Sequence, residues 1–174
     1  LHLSLRRQRQ MCIRDRLETT VEELINGFLT VGGMVFTSRQ FDLPYEKETG
    51  DGGSAPDIIA LDFNTTPNEV VVVEITVSGG LGTLNSRIVE REGRWYRPLR
   101  AALIKRGIID DTWTMRTLAF VRQVHVVGAN AKFADHPDVT FYAIEDAILP
   151  YSYWDSRMPV SYTHLRAHET RHDI

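Results

Sequence analysis

An α/β domain with a mixed β-sheet flanked by helices is the fold class this sequence predicts, and three observations predict it. Apolar residues recur at helical spacing from Leu17 to Leu29 and stop at Gly32-Gly33. Two β-rich runs, Asp57-Ile58-Ile59-Ala60-Leu61-Asp62 and Val70-Val71-Val72-Val73-Glu74, flank a segment dense in turn formers, Phe63-Asn64-Thr65-Thr66-Pro67-Asn68. A charged helical pattern from about Leu84 then precedes two further apolar runs. Helix, three strands, helix, two strands, helix is the order of a layered mixed-sheet domain.

The first helix is predicted from about Thr20 to Thr30, with Leu17, Val21, Leu24, Ile25, Phe28 and Leu29 clustered on one face. A strand region follows from Met34 to Leu43, carrying Val35, Phe36, Phe41 and Leu43. The polar stretch Glu46 to Ser54, with Gly50, Gly52 and Gly53, reads as a mobile loop. The hairpin occupies residues 57–77. Gly79-Gly80-Leu81-Gly82 lacks the Gly-Lys-Ser/Thr ending of a phosphate loop and reads as a flexible turn into the second helix. Pro98 kinks or restarts that helix, which runs to Arg106 before Gly107. Thr117–Val127 and Val139–Ala143 read as strands around a loop from Gly128 to Pro137. Glu145–Leu149 reads as a last short helix, with Tyr151 and Trp154 capping the core.

The two ends stand apart from this pattern. Met11-Cys12-Ile13-Arg14-Asp15 can be written in codons as ATG TGT ATA AGA GAC, whose reverse complement translates as Val-Ser-Tyr-Thr-His, the pentapeptide Val160 to His164. Residues 1–16 and 160–174 therefore resemble translated sequencing-library adapter and are set aside, leaving residues 17–159 as one domain. The ends hold seven arginines and three acids, so the remainder keeps 13 of the 20 basic and 20 of the 23 acidic residues, a formal charge of −7 against −3 for the whole chain. Cys12, the one cysteine, lies in the excluded part, which removes disulfide, zinc-thiolate and thiol chemistry from the domain. The remaining length suits a single core, and no apolar run approaches what a bilayer requires. An intracellular location is the expectation.

A hairpin centred on Thr65 and Thr66 puts Asp57 directly opposite Glu74, on one sheet face, with Cβ atoms about 5 Å apart. Two carboxylates held that close repel unless a proton or a cation lies between them. Hard divalent cations such as Mg²⁺ favour oxygen pairs of this kind.

A Glu-bearing helix, a strand, Pro56-Asp57 opening one strand, Glu74-Ile75-Thr76 closing the next and a helix after it resemble the PD-(D/E)XK nuclease superfamily, the restriction-endonuclease-like fold. The resemblance covers about residues 17–145. It implies metal-dependent hydrolysis of phosphodiesters in DNA or RNA, with Asp57 and Glu74 as ligands of Mg²⁺ or Mn²⁺ and the Ile75 carbonyl adding an oxygen. It also implies a glutamate from the first helix, and on a helical wheel Glu22 and Glu18 flank the apolar stripe while Glu23 points away. Thr19 or Thr20 with Glu22 or Glu23 three residues later equally forms a capping-box pattern.

One departure stands out, because Thr76 occupies the position where the family pattern has lysine. In this the strand resembles the Glu-x-Thr type of viral cap-snatching endonuclease domains, which draw the cation from the following helix. Here that helix holds Arg87, Arg91, Arg94 and Arg97, all expected to contact nucleic acid, and Arg91, bordering the stripe of Leu84, Ile88, Trp95 and Leu99, is the expected stand-in for the lysine. Arginine binds phosphate bidentately but stays protonated and is a poor proton shuttle. Glu92 falls in the stripe one turn before Tyr96, at the spacing of the Gln-x-x-x-Tyr pair of some family members. A solvated helix with internal Glu–Arg pairs is the competing reading of all these charges. An inactive nuclease-fold module that binds nucleic acid or a partner protein is the alternative that Thr76 favours. A plain α/β domain, with Asp57 and Glu74 too far apart to share a cation, is the third.

Overall fold

A computed structural model of the chain describes residues 18–77 and 79–152. The ends that resemble adapter, Leu17, the Tyr151 side chain and Trp154 lie outside the described residues and side chains. A helix over residues 18–30 (α1) leads to β1 (Val35–Arg39), β2 (Ile58–Asp62) and β3 (Glu69–Thr76). Helix α2 (Gly82–Val89), a π-helical segment (Glu92–Tyr96) and α3 (Arg97–Lys105) follow. Then come β4 (Thr114–Val121), α4 (Gln123–Lys132), β5 (Val139–Ala143) and α5 (Ile144–Ser152). The five strands lie in chain order in one sheet. The first three are antiparallel, and β4 and β5 run parallel to β3 and to each other. The fold is the expected α/β class, a mixed sheet flanked by helices, and among the described residues no helix is long and apolar enough to cross a membrane.

β3 is central because of its four consecutive valines, all buried, as a strand covered on both faces requires. Strand alternation splits them between two cores. Val70 and Val72 pack with Leu84, Ile88, Trp95, Leu99 and Phe141 under the α2–α3 layer. Val71 and Val73 pack with Val21, Ile25, Leu29, Phe120 and Tyr142 under α1. Glu74 continues the Val70 and Val72 face, and Asp57 continues that of Ile59, so both carboxylates belong to the α2–α3 side of the sheet.

Two local expectations are corrected, the strand at Gln123–Val127 and the place of Glu92 in the apolar stripe. Gln123-Val124-His125-Val126-Val127 alternates like a strand, yet it opens α4. The Gln123 N–H donates to the Glu145 carboxylate (2.8 Å), and Asn130 exchanges two hydrogen bonds with the backbone of Phe141 (2.9 and 3.0 Å). These long-range partners outweigh a weak strand propensity and leave Val124 and Val127 exposed. Pro98 restarts the helix, one of its two expected effects, in the first turn of α3, where a missing N–H costs little, directly after the π segment. That wider turn leaves Glu92 exposed and buries Trp95 and Tyr96.

The glycine loop is pinned rather than free. Leu43 bridges Ser54, Glu46 bridges Asp51, and the Gly52 N–H donates to the Gly93 carbonyl of the π segment (3.0 Å). Gly52 sits at φ +80°, and a Cβ there would lie 2.2 Å from the Pro44 carbonyl oxygen; Gly50 shares the positive φ but faces open space. Gly52→Ala is therefore expected to cost more than about 2 kcal/mol in chemical denaturation, and Gly50→Ala only about 1 kcal/mol.

Candidate active site

The β2–β3 ladder pairs Ile58 with Val73, so the next residues outward, Asp57 and Glu74, come abreast at the open end of the hairpin. The Asp57 carboxylate accepts the Ile75 backbone N–H at 2.6 Å. Glu74 is 0% exposed. Its Oε2 lies 2.7 Å from Nη1 of Arg87 on α2, an ion pair without hydrogen-bond alignment, since neither Glu74 oxygen has a hydrogen-bond partner. A cavity of about 300 Å³ opens at this end of the sheet, lined by Glu18 and Glu22 of α1, by Asp57, Ile75 and Thr76, and by Arg87. Gly80 and Thr83 complete its wall from the start of α2.

Burial, reinforced by the charge of Asp57, pushes the Glu74 carboxyl up to about 8, against the pull of Arg87 and Arg94. Burial likewise raises Asp57, with Glu22 and Glu18 adding to it and the Ile75 N–H and Arg87 opposing it. Because both folded values lie above the unfolded ones, the associated stability is fully present below the unfolded carboxylate range and is lost as pH rises, for Glu74 through about 8. The melting temperature in EDTA is expected to fall from about pH 5 to about pH 9 by calorimetry; a flat profile would mean that the pair is not held close and dry.

The expected residues divide between those brought together here and those that are not. Asp57, Ile75, Thr76, Glu22 and Glu18 line the cavity, while Glu74, beside Asp57 and paired with Arg87, is fully buried and not part of its wall; Glu22 also accepts a hydrogen bond from Arg39 of β1 (3.2 Å). Glu23 is exposed and instead lies 3.6 Å from Arg39. Arg91 is elsewhere. Its guanidinium grips Asp138 with two hydrogen bonds (2.5 and 2.8 Å), and the Tyr96 hydroxyl donates to the same carboxylate (2.9 Å). The helical wheel places Arg91 correctly beside the stripe, but the layer beneath it is the segment before β5, not the hairpin end. Arg87, one turn earlier and on the same flank, is the cation that reaches Glu74. Its signal in the sequence was nearness to the Gly79-Gly80 turn, which brings the first turns of α2 back over the strand it follows.

Arg94 pairs with Glu90 (3.2 Å) and Arg97 with Asp51 (2.9 Å). Each of the four arginines thus has an acidic partner, as in the charge-paired reading of this helix, and only Arg97 is more than half exposed, at 60%. Among the described residues no group of three or more His, Cys, Asp or Glu side chains is disposed to hold a metal ion. Comparison with protein-family models, with curated proteins and with solved structures finds no match.

Proposed function

We propose that this chain is a divalent-metal-dependent phosphodiesterase acting on nucleic acid, a variant of the PD-(D/E)XK type. The observation that carries the reading is the pair Asp57 and Glu74, abreast on one sheet face, with Asp57 lining a cavity together with Ile75, Thr76, Glu22 and Arg87 and the buried Glu74 reaching Arg87 at 2.7 Å.

The donor set fits Mg²⁺ or Mn²⁺. It is all oxygen, and the buried Glu74 Oε1 has no hydrogen-bond partner among the described residues. Glu22 and Glu18 line the cavity without completing a three-acid group with Asp57 and Glu74, which is compatible with Mg²⁺, an ion that keeps several waters and uses one or two carboxylates together with substrate phosphate. Asp57 and Glu74 would hold the ion, with the Ile75 carbonyl beside them. When bound, it supplies Lewis acidity that offsets phosphate charge and makes water more acidic. The protein's own residues do the rest. The Ile75 N–H fixes the Asp57 carboxylate, and the hydrophobic layer around Glu74 excludes water from that side chain, so that its charge acts strongly on its neighbours. Arg87 takes the place of the family lysine as a source of positive charge for the phosphate, while its permanent protonation leaves proton removal to another group.

The Arg87–Glu74 contact also favours a second reading, in which the guanidinium is a built-in substitute for a metal and the module binds without cutting. Titration of the protein with Mn²⁺ separates the two. The nuclease reading expects the melting temperature to rise, saturably, and expects Asp57→Ala to remove that rise. No rise in millimolar Mn²⁺ would favour the inert module. Among variants, Arg87→Ala is expected to lower cleavage about 10²-fold and Arg87→Lys to recover most of it; equal losses in both would assign Arg87 to packing.

A further inference from the structure

A second cavity, of about 590 Å³, opens farther along the same helical layer, between the glycine loop and the π segment. Tyr45, Asp51, Glu90, Gly93, Arg94 and Arg97 form its walls with the backbone of residues 49–53. Those walls are held in place. The Gly52 N–H donates to the Gly93 carbonyl, Asp51 accepts from Arg97, and Trp95 Nε1 donates to Ser54 Oγ. Glycine at position 93 permits this closure, because a Cβ there would lie 3.0 Å from Asp51 Oδ1 and 3.1 Å from Arg97 Nη2.

The two cavities share a helix face. Arg87 lines the first and Arg94 the second, seven residues on, which corresponds to roughly 10 Å of helix axis. Arg94 is also near enough to Glu74 to pull on its carboxyl. A strand whose phosphate enters the first cavity at Asp57 and Arg87 would carry its neighbouring nucleotide toward the second.

The chemistry of the walls indicates which part of that nucleotide fits. Arg94 and Arg97 are matched by Glu90 and Asp51, so the lining carries no excess positive charge for a bare anion. It offers donors and acceptors side by side, the complement of a nucleobase edge. Tyr45 adds an aromatic ring that is 61% exposed on the same wall, and the Arg97 guanidinium is a second planar group, more than half exposed. Rings of this kind stack on bases that are not paired in a duplex.

We infer that the cavity at Tyr45 and Arg97 receives an unpaired base next to the scissile phosphate, which makes the substrate single-stranded nucleic acid. This rests on the nuclease reading for the position of the phosphate, and its test does not depend on cutting. The full chain, Tyr45→Ala and Tyr45→Phe are titrated in EDTA against labelled single-stranded DNA, single-stranded RNA and duplex DNA, with binding followed by fluorescence anisotropy. Tyr45→Ala is expected to weaken single-strand binding about fivefold or more, Tyr45→Phe to keep it, and duplex binding to be weaker and indifferent to both. Equal single-strand affinity for Tyr45→Ala and the unaltered chain overturns the inference. So does an equal loss on single strand and duplex, or no binding of single strands by the unaltered chain. Tyr45-dependent binding by a protein that never cuts sinks the nuclease reading and leaves the base subsite standing. Metal-dependent cutting with no effect of Tyr45 on affinity does the reverse.

Discussion

Glu74→Gln is expected to abolish metal-dependent cleavage and, in the same protein, to raise the stability of the metal-free state above pH 8. The side chain is fully buried beside a second carboxylate, and burial is the main reason its carboxyl titrates near 8. Above that pH the folded protein must hold a charge that water would solvate better. The amide keeps the shape and removes the charge. Arg87, 28% exposed, can turn its guanidinium to solvent once its partner is neutral. A gain on the order of 1–3 kcal/mol in EDTA near pH 9, shrinking toward zero near pH 5, is the expected result from urea unfolding at the two pH values. Loss of activity joined to a gain in stability marks a residue kept for chemistry rather than packing. If Glu74→Gln destabilises the protein at both pH values, Glu74 is a structural partner of Arg87.

Asp138→Ala should have the opposite character, a large loss of stability from a residue remote from the cavity. Asp138 accepts two hydrogen bonds from Arg91 and one from Tyr96, whose hydroxyl is also 2.8 Å from Thr117 Oγ1 on β4. Burial raises the Asp138 carboxyl, but the bonds from Arg91 and Tyr96 outweigh it and hold the group below the usual range. Its contribution is therefore present above that range and lost as pH falls through the depressed value. Removing it leaves a guanidinium 14% exposed and a buried phenol without their acceptor, and unties α2 and the π segment from the start of β5. The cost is about 2–3 kcal/mol, at the low side of broken buried pairs because the carboxylate is 27% exposed. Equilibrium unfolding measures it. Asp138→Asn, which keeps an acceptor, should lose less than half as much. An effect within experimental error for the alanine variant would make this cluster a surface decoration.

Much of the fold was legible because its signals are periodic. The valine run and the symmetric turn fix the β2–β3 register, and that register alone brings Asp57 and Glu74 together. The spacing of Val21, Ile25 and Leu29 orients α1, which sets Glu22 and Glu18 toward the cavity and Glu23 away. The helical wheel set Leu84, Ile88, Trp95 and Leu99 in the core, where all four are buried, and failed at Glu92, which is exposed. It favoured Arg91, which borders the stripe, over Arg87 on the same flank, because the choice depends on which strand end lies beneath each turn. The π segment could not be read either, since its extra residue follows from docking of the glycine loop on Gly93 and not from a local propensity. The same holds for α4, whose opening N–H is satisfied by Glu145, 22 residues away. Long-range partners decide those elements, and a single sequence does not display them.

In the proposed reading Asp57 and Glu74 form a metal-dependent phosphodiester-cleaving pair. Cleavage is assayed by incubating the full chain with labelled single-stranded RNA, single-stranded DNA and duplex DNA in Mn²⁺, Mg²⁺ or EDTA, with Asp57→Ala alongside. Cutting of a single-stranded substrate in Mn²⁺ or Mg²⁺, absent in EDTA and absent from Asp57→Ala, is the predicted result. A folded protein that leaves all three substrates intact under every ion, or an Asp57→Ala protein that cuts as well as the unaltered chain, would contradict it.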